Sequence, residues 1–512
     1  MSRRQLGRSL AAGASASLFQ AVPSRAQASV LRVRQGSDLQ QLDPAYRATS
    51  SENNVMRCLY RTLVRYKPGD AWVYENDAAQ SIEQTDPTHV RFTLKPGIIW
   101  SNGIGEMTAE DVKFTFERHV DPKTASPYRN DWEVLDRVDI TDKYSGVIVL
   151  KEPFTPLWRS TLPWGSGYIL NRKQVELAGG RIRTDPKTSC GPYVLSQFTP
   201  GQKAVLTRNP DYQDFRPEFD EVQVFAIPEA KTAEIAFEAG ELDYTEVSVA
   251  SLVRYRKQLP RGATLFEKPS LAWVWLGMNG DNPTLKDIRL RQAIQKAVDV
   301  DGALDAAYFG VAKRATGIIA PGLVGHRDIT MPGRDLAGAK KLLAEAGLSR
   351  GVKLTLHLLN NSTMQSLAQV IQASLLEIGV EVELVPVAPA VYWTLGNESK
   401  GDAWKSLQLI LTRYTSSPDP SQMTAWYTPQ QVGVWNWERF SSSEFGALHK
   451  AGLVEADDAK RRPLYVRMQE MMEQSGQYVF LTHEVFGVLH NQAIAPAVMP
   501  DATPIYSRFR RA

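Results

Sequence analysis

A strand–helix–strand pattern between residues 354 and 386 limits the fold most tightly. Leucine alternates with polar residues over 354–358, as on a half-buried strand. A helical stripe of apolar residues then spans 367–378 and ends at Gly379, and residues 380–384 alternate again. A strand, a helix and a strand in this order form a crossover unit, which places parallel strands in one sheet. The chain is therefore predicted to be an α/β protein with mixed sheets.

Other local signals place further elements. Pro386 cannot donate to a sheet ladder, so the second strand should stop there or lie at a sheet edge. Helical spacing predicts a helix over 52–66, and another that begins after Thr108, where Asp111 completes a capping box. With 512 residues the chain is long enough for two or three domains. Its 43% hydrophobic content is typical of a globular protein, and no apolar run reaches the ~18 residues of a membrane span.

The first 28 residues have the layout of an export signal. A twin-arginine-like start, Arg3-Arg4, precedes a weakly apolar stretch over 10–22 and an Ala-x-Ala cleavage site at 26–28. A disordered basic tail is the alternative. Cleavage would leave a mature chain that starts at Ser29 and is free in the periplasm, without a lipid anchor because no cysteine lies beside the site.

The charge of the mature chain excludes one class of partner. The signal segment contains four arginines and no acid, so a formal charge of +3 becomes 3 − 4 = −1 after cleavage. A near-neutral protein has no long-range attraction for nucleic acid, and none is expected as a partner.

Catalytic and metal-binding signals are weak. The two cysteines, Cys58 and Cys190, could form one disulfide or remain two buried thiols, and they are too few for a metal centre. The seven histidines form no H-x-x-x-H pair, and there is no G-x-S-x-G elbow or phosphate loop. We expect no enzyme and no cofactor, although a triad built from distant residues stays open.

Short blocks along the mature chain resemble the family 5 extracellular solute-binding proteins, the periplasmic dipeptide- and oligopeptide-binding components of ABC transporters. Each block alone is weak, but together they are in register over most of the chain. They are residues 92–97 (Phe-Thr-Leu-Lys-Pro-Gly), 100–103 (Trp-Ser-Asn-Gly), 107–115, 191–193 (Gly-Pro-Tyr), 208–212 (Arg-Asn-Pro-Asp-Tyr), 239–243 (Ala-Gly-Glu-Leu-Asp), 287–293 and 339–347.

The resemblance implies a two-lobed periplasmic binding protein fold with an extra subdomain and a hinge. Lobe one would contain residues 29–270 and 484–512, with the subdomain at 58–189, and lobe two would be 271–483. The connecting strands would lie near Leu271–Asn279 and Tyr478–Val488. The implied function is capture of a small solute, such as a short peptide, by a monomer that delivers it to ABC permease subunits in the inner membrane.

A binding cleft needs apolar walls with a few polar anchors. Trp273 and Trp275 are two residues apart on a predicted strand, so they share one face with Asn279. That face either lines the cleft or packs into the core. Further wall candidates are Tyr46, Trp426, Trp435 and Asn436.

The loop over 412–420 carries the most informative departure. In peptide binders of the family, an Asp in this loop pairs with the ligand's amino terminus, and Ser416 stands at that position here. Either Asp419 has taken over the role or the ligand lacks a free amine, while the alternative for Asp419 is a solvated turn residue. Arg413 could bind a carboxylate or form a surface ion pair.

Three other functions stay open. The same fold could bind a metal chelate, haem, an opine or an oligosaccharide. A secreted hydrolase with an unrecognised site is a more remote alternative. A periplasmic sensor partner without a transport role is the third.

Overall fold

A computed structural model describes residues 29–47, 49–348 and 351–512. The predicted export signal at 1–28 lies outside the described residues. The strands are β1 Val30–Gln35, β2 Val64–Tyr66, β3 Tyr74–Asn76, β4 Ala79–Asp86, β5 His89–Leu94, β6 Ile99–Trp100, β7 Gly105–Glu106, β8 Leu135–Ile140, β9 Ser145–Leu150, β10 Tyr193–Thr199, β11 Lys203–Arg208, β12 Glu221–Ala226, β13 Tyr244–Val247, β14 Ala263–Met278, β15 Val352–Leu359, β16 Val380–Val387, β17 Leu409–Thr415, β18 Tyr478–Asn491, β19 Ile494–Ala495 and β20 Arg510–Arg511.

Helices cover the sheets. They are α1 Ser50–Leu59, α2 Ala109–Val120, α3 Arg172–Leu177, α4 Ala230–Glu238, α5 Val249–Lys257, α6 Ile288–Ala297, α7 Val300–Tyr308, α8 Leu336–Glu345, α9 Ser362–Leu376, α10 Pro389–Tyr392, α11 Ala403–Ser406, α12 Pro420–Thr424, α13 Ser443–Val454 and α14 Asp458–Gln474. In the described parts of the chain, none of them combines the length and the apolar character needed to cross a bilayer.

One mixed sheet of ten strands organises the molecule. Its order is β10-β11-β12-β1-β13-β18-β14-β17-β15-β16. The predicted crossover unit is confirmed, because β15 and β16 are parallel and α9 lies between them in the chain. The strand that contains Pro386 lies at the edge of the sheet, as expected. The α/β class with mixed sheets is therefore confirmed.

The predicted helix over 52–66 is partly wrong. The helix α1 ends at Leu59, and Val64–Tyr66 is a strand. Between them the chain is extended, because Thr62 donates its N–H to Asp77 at 3.0 Å and Arg61 donates to the same carboxylate at 3.1 Å. A distant acid thus overrides the local helical spacing.

Two long strands connect separate hydrophobic cores. The first core contains apolar residues between Leu31 and Tyr244 together with residues between Val488 and Phe509. The second core lies between Val274 and Leu481, and a third cluster, here called the aromatic core, packs around Trp273 and Trp275. The antiparallel pair β14 and β18 runs from the first core to the other two, with register shifts between Pro269 and Trp273 and at Val274/Trp275.

The two cysteines are free thiols. Cys58 and Cys190 are both buried in the first core. Burial raises the pKa of Cys58 to about 12 and raises that of Cys190 well above its usual value. Neither is a thiolate at neutral pH, so neither is suited to nucleophilic chemistry.

Candidate functional site

Trp273 and Trp275 form the centre of the aromatic core. Their rings stack with centroids 6.1 Å apart, and both side chains are fully buried. Trp273 donates its Nε1–H to the Tyr427 hydroxyl at 2.9 Å, and Trp275 donates to Glu438 Oε1 at 2.7 Å. Both indoles are therefore satisfied inside the protein, and the structure places the pair behind the surface that a ligand could reach.

Glu438 is a buried acid beneath this pair. Loss of hydration raises the pKa of its carboxyl to about 7, although the bond from Trp275 opposes the shift. Gly277 makes room for it, because a Cβ at that position would collide with the Glu438 carboxylate. A carboxyl that changes charge near neutral pH thus lies directly against Trp275 in the aromatic core.

The outer edge of the aromatic core is formed by Trp426 and Trp435. Both are half-buried, and their centroids lie 5.6 and 6.2 Å from the Tyr414 ring, which packs in turn on Trp273 and Trp275. Within the described part of the chain, the Trp426 Nε1–H finds no acceptor. An apolar ring surface with one free donor is the composition expected of a binding wall.

Trp72, from an early loop of the chain, also contacts the aromatic core. It packs against the aromatic core and also belongs to a small cluster with Tyr66 and Trp164, at centroid distances of 5.0 and 6.2 Å. The residue lies in the loop between β2 and β3, where a single tryptophan among Gly, Asp and Ala carries no periodic signal. Sequence reasoning therefore missed it.

A second contact joins the same two parts of the chain. Thr155 donates its N–H to the Leu453 carbonyl at 2.7 Å and its hydroxyl to the Glu455 carbonyl at 2.8 Å. Arg159 pairs with Asp458 at 2.5 Å. We call this group the latch. It connects the segment after β9 to the turn between α13 and α14.

A polar pocket of about 270 Å³ opens where β1 and β13 end. Glu246 of β13 is 49% exposed in it and lies 3.8 Å from Arg34 Nη1. Gln35 is only 5% exposed, and its Oε1 accepts no hydrogen bond from the described residues. The remaining lining comes from Gly36, Ser37, Ser50, Ser51, Asn54, Tyr244, Pro504 and Tyr506. This pocket carried no motif, and sequence reasoning did not identify it.

Arg413 is paired inside the protein. Its guanidinium donates through Nε and Nη2 to Glu484 Oε2 at 3.0 and 2.6 Å, which joins β17 to β18. Tyr308 also reaches Glu484, at 3.4 Å. Because β14 lies between β17 and β18 in the sheet, this pair connects two strands across the one between them.

Ser416 and Asp419 lie in different environments. Ser416 is half-buried at the start of the loop that follows β17. Asp419 is fully buried and caps α12, because its side chain accepts a hydrogen bond from the Ser421 N–H at 2.9 Å. It also accepts hydrogen bonds from Arg461 Nη2 at 3.0 Å and from Arg461 Nη1 at 3.1 Å. The expectation of a solvated turn residue is wrong, because Arg461 compensates the buried charge.

Three other candidates bond within the fold. Asn279 donates to the Leu407 carbonyl at 3.0 Å, and Asn436 donates to the Phe440 carbonyl at 2.7 Å, both from buried positions. The Tyr46 hydroxyl donates to the Thr124 carbonyl at 2.6 Å, and its ring packs 4.2 Å from the Arg181 guanidinium. The structure thus brings Trp426 and Trp435 together, and it places these three elsewhere.

The described side chains offer no metal-binding cluster. Over residues 29–47, 49–348 and 351–512, no group of three or more His, Cys, Asp or Glu side chains is arranged to hold an ion. The described residues offer aromatic surfaces, unpaired polar groups and a polar pocket at the ends of β1 and β13, which are features of a binding site.

Comparison with known proteins gives consistent results. A family described as "Bacterial extracellular solute-binding proteins, family 5 Middle" matches residues 73–433. The "Probable D,D-dipeptide-binding periplasmic protein DdpA" of Escherichia coli (strain K12) is 26% identical, covering 91% of this chain and 90% of its own. The periplasmic oligopeptide-binding protein OppA of the same strain is 25% identical over 87% and 85%. The solved structure of HbpA2 from Haemophilus parasuis has a TM-score of 0.82 at 22% identity, covering 94% of this chain and all (100%) of that one.

Proposed function

The chain belongs to the family 5 bacterial extracellular solute-binding proteins, and we propose that it captures a short peptide between two lobes for an ABC importer. The names of its relatives support a peptide ligand, since one is a D,D-dipeptide binder and another an oligopeptide binder. The captured peptide would pass to permease subunits in the inner membrane. The protein itself would break no bond and need no cofactor.

The two lobes are proposed at residues 29–270 with 484–512, and at 271–483, with a subdomain at 58–189. The separate hydrophobic cores support this division, because β14 and β18 are the strands that leave one core and enter the others. Residues around Ser270 and Glu484 would then form the hinge. We further propose that residues 1–28 direct export, so that a soluble monomer without a lipid anchor operates in the periplasm.

The position of Trp72 carries the proposal. It touches the aromatic core of one proposed lobe while its neighbours Tyr66 and Trp164 belong to the other. A peptide that enters here would lie between Trp72 and the outer rings Trp426 and Trp435, which would cover its apolar side chains. The latch lies on the same side, and its bonds can form only when the two lobes approach each other.

Ligand binding would shift a population rather than create a new state. Open and closed forms would exchange, and a peptide that contacts both lobes would favour the closed form. Micromolar affinity corresponds to about −8 kcal/mol, after the cost of closure has been subtracted.

Solution scattering and thermal melting test the function together. The chain from Ser29 onward would be titrated with alanine peptides of two to five residues, and separately with oligosaccharides and iron–EDTA as a chelate. We expect the peptides to raise the melting temperature and reduce the radius of gyration. If only the sugars or the chelate do so, the peptide assignment is wrong.

A further inference from the structure

The pocket at the ends of β1 and β13 has the location of a binding site. The two strands are parallel, and Val33 pairs with Tyr244, so their carboxyl ends lie at one edge of the ten-stranded sheet. Ligands of open α/β sheets bind outside the carboxyl ends of the strands. The next strand, β18, pairs Gly487 with Val247, which places the pocket beside the proposed hinge.

Glu246 is an unused acid in this pocket. Its side chain is half exposed, yet burial of its surroundings and the nearby Asp501 carboxyl raise its pKa, while Arg34 lowers it. Among the described residues, no donor bonds to its carboxylate oxygens, and the nearest cation is Arg34 Nη1 at 3.8 Å. A carboxylate that faces the pocket without a hydrogen-bonded donor can gain a charge-assisted bond from a cationic group of a ligand.

Arg34 does not supply that partner. Its Nε donates to the Ile227 carbonyl and its Nη2 to the Pro228 carbonyl, both at 2.8 Å. These bonds occupy Nε and Nη2 of the guanidinium, and its side chain is only 8% exposed. The cation therefore lies within range of Glu246 without forming a hydrogen bond to it.

Gln35 supplies a second unused acceptor beside Glu246. Its Nε2 donates to the Tyr506 hydroxyl at 3.4 Å, which leaves Oε1 as a buried acceptor without a donor in the residues that the structure describes. Burial of such an oxygen is unfavourable unless a ligand or water donates a hydrogen bond to it. Gln35 and Glu246 are on adjacent parallel strands, two residues beyond the paired Val33 and Tyr244, so they share one face.

The helix end at the pocket does not reverse this preference. An unsatisfied helix amino terminus would favour an anion. Here Thr49 accepts the Glu52 N–H at 3.2 Å, and the Glu52 carboxylate accepts the Thr49 N–H at 3.0 Å. The start of α1 is therefore already capped by an acid of its own.

We propose that Glu246 and Gln35 bind the free ammonium group of the ligand. An ammonium presents three donors and one positive charge, which matches a carboxylate beside an amide oxygen. This inference rests on the proposed function, and it makes the ligand a peptide or related molecule with an unblocked amine. With Glu246 supplying the charge at the amine, the loop after β17 needs no acid at the position of Ser416.

Trialanine and N-acetyl-trialanine test the assignment by calorimetry. We expect the wild-type protein to bind trialanine at least about tenfold more tightly than the acetylated peptide, because acetylation removes the charge. Glu246→Gln should weaken the binding of trialanine about 10- to 100-fold and leave the affinity for the acetylated peptide unchanged. Glu241→Gln is the matched control, since it removes the same charge from an exposed position just before β13.

The outcomes separate the two proposals. If wild-type protein binds neither these peptides nor longer alanine peptides, the peptide function fails and the ammonium assignment with it. If trialanine binds wild-type and Glu246→Gln protein equally, or if acetylation has no effect, the ammonium assignment alone is overturned. Glu246 is half exposed, so the variant should melt within about 2 °C of wild type without peptide, and Gln35→Leu provides a second variant with the same expected loss.

Discussion

Arg461 binds both carboxylate oxygens of Asp419, and neither side chain has any exposure to solvent. Removal of one partner leaves an uncompensated buried charge, so Asp419→Ala should lower the free energy of unfolding by about 3–5 kcal/mol. Urea unfolding at neutral pH measures this loss. Lys341→Ala, at an exposed pair with Glu345, should change stability by less than about 0.5 kcal/mol. A loss below about 1 kcal/mol for Asp419→Ala would contradict the buried pairing.

Glu438 should make stability depend on pH. Its folded pKa of about 7 exceeds its usual value of 4.5, so the folded protein holds the proton more tightly than the unfolded chain. Stability from this group is therefore present below pH 4.5, declines as pH rises, and levels off above about pH 7. The total change is roughly 3 kcal/mol. Urea unfolding between pH 4 and pH 8 should show this decline in wild type relative to Glu438→Gln, and a constant difference between the two would exclude it.

Trp72 should matter more for affinity than for stability. Its ring contacts the aromatic core across the crevice while the loop that carries it is exposed at Val73. Trp72→Ala should weaken the binding of the tightest-binding alanine peptide about tenfold or more, because the contacts of this half-buried indole are lost from the closed form only. Trp404→Ala, which removes an indole packed on Arg439 away from the crevice, is the control. Equal loss in both variants would argue against a role in closure.

The latch should stabilise the closed form modestly. The ion pair of Arg159 with Asp458 is partly exposed, so Arg159→Ala should weaken peptide binding by up to about fivefold. The same variant should increase the radius of gyration of the peptide-free protein in scattering. Arg137→Ala, at an exposed pair with Asp139, should change neither quantity. High salt should reproduce the Arg159→Ala effect, because it screens the pair.

Local periodicity predicted the elements but not their exposure. The alternating leucines of β15 and the stripe of α9 are confirmed, and α2 begins after Thr108, whose N–H is bound by Asp111 at 3.0 Å. The spacing of Trp273 and Trp275 predicted that they share one face of a strand, but it did not indicate which residues cover that face. The α12–α13 region and Tyr427 cover it, from more than 140 residues further along the chain.

The polar part of the site was harder to predict for the same reason. Asp419 and Arg461 are 42 residues apart, and nothing near either residue indicates the pairing. No sequence motif marks Glu246, and only the pocket beside it indicates a possible role. Such features depend on how distant segments meet, which one sequence does not encode in a readable pattern.

The pairing of β14 with β18 limits how the protein can move. Both crossings between the proposed lobes are neighbours in one hydrogen-bonded ribbon. Such a ribbon flexes out of its plane at low cost, whereas sliding one strand along the other would break a whole ladder of bonds. The two lobes should consequently move by a hinge rotation about the β14–β18 pair. Each binding event should follow this one rotation instead of sampling many relative orientations of the lobes.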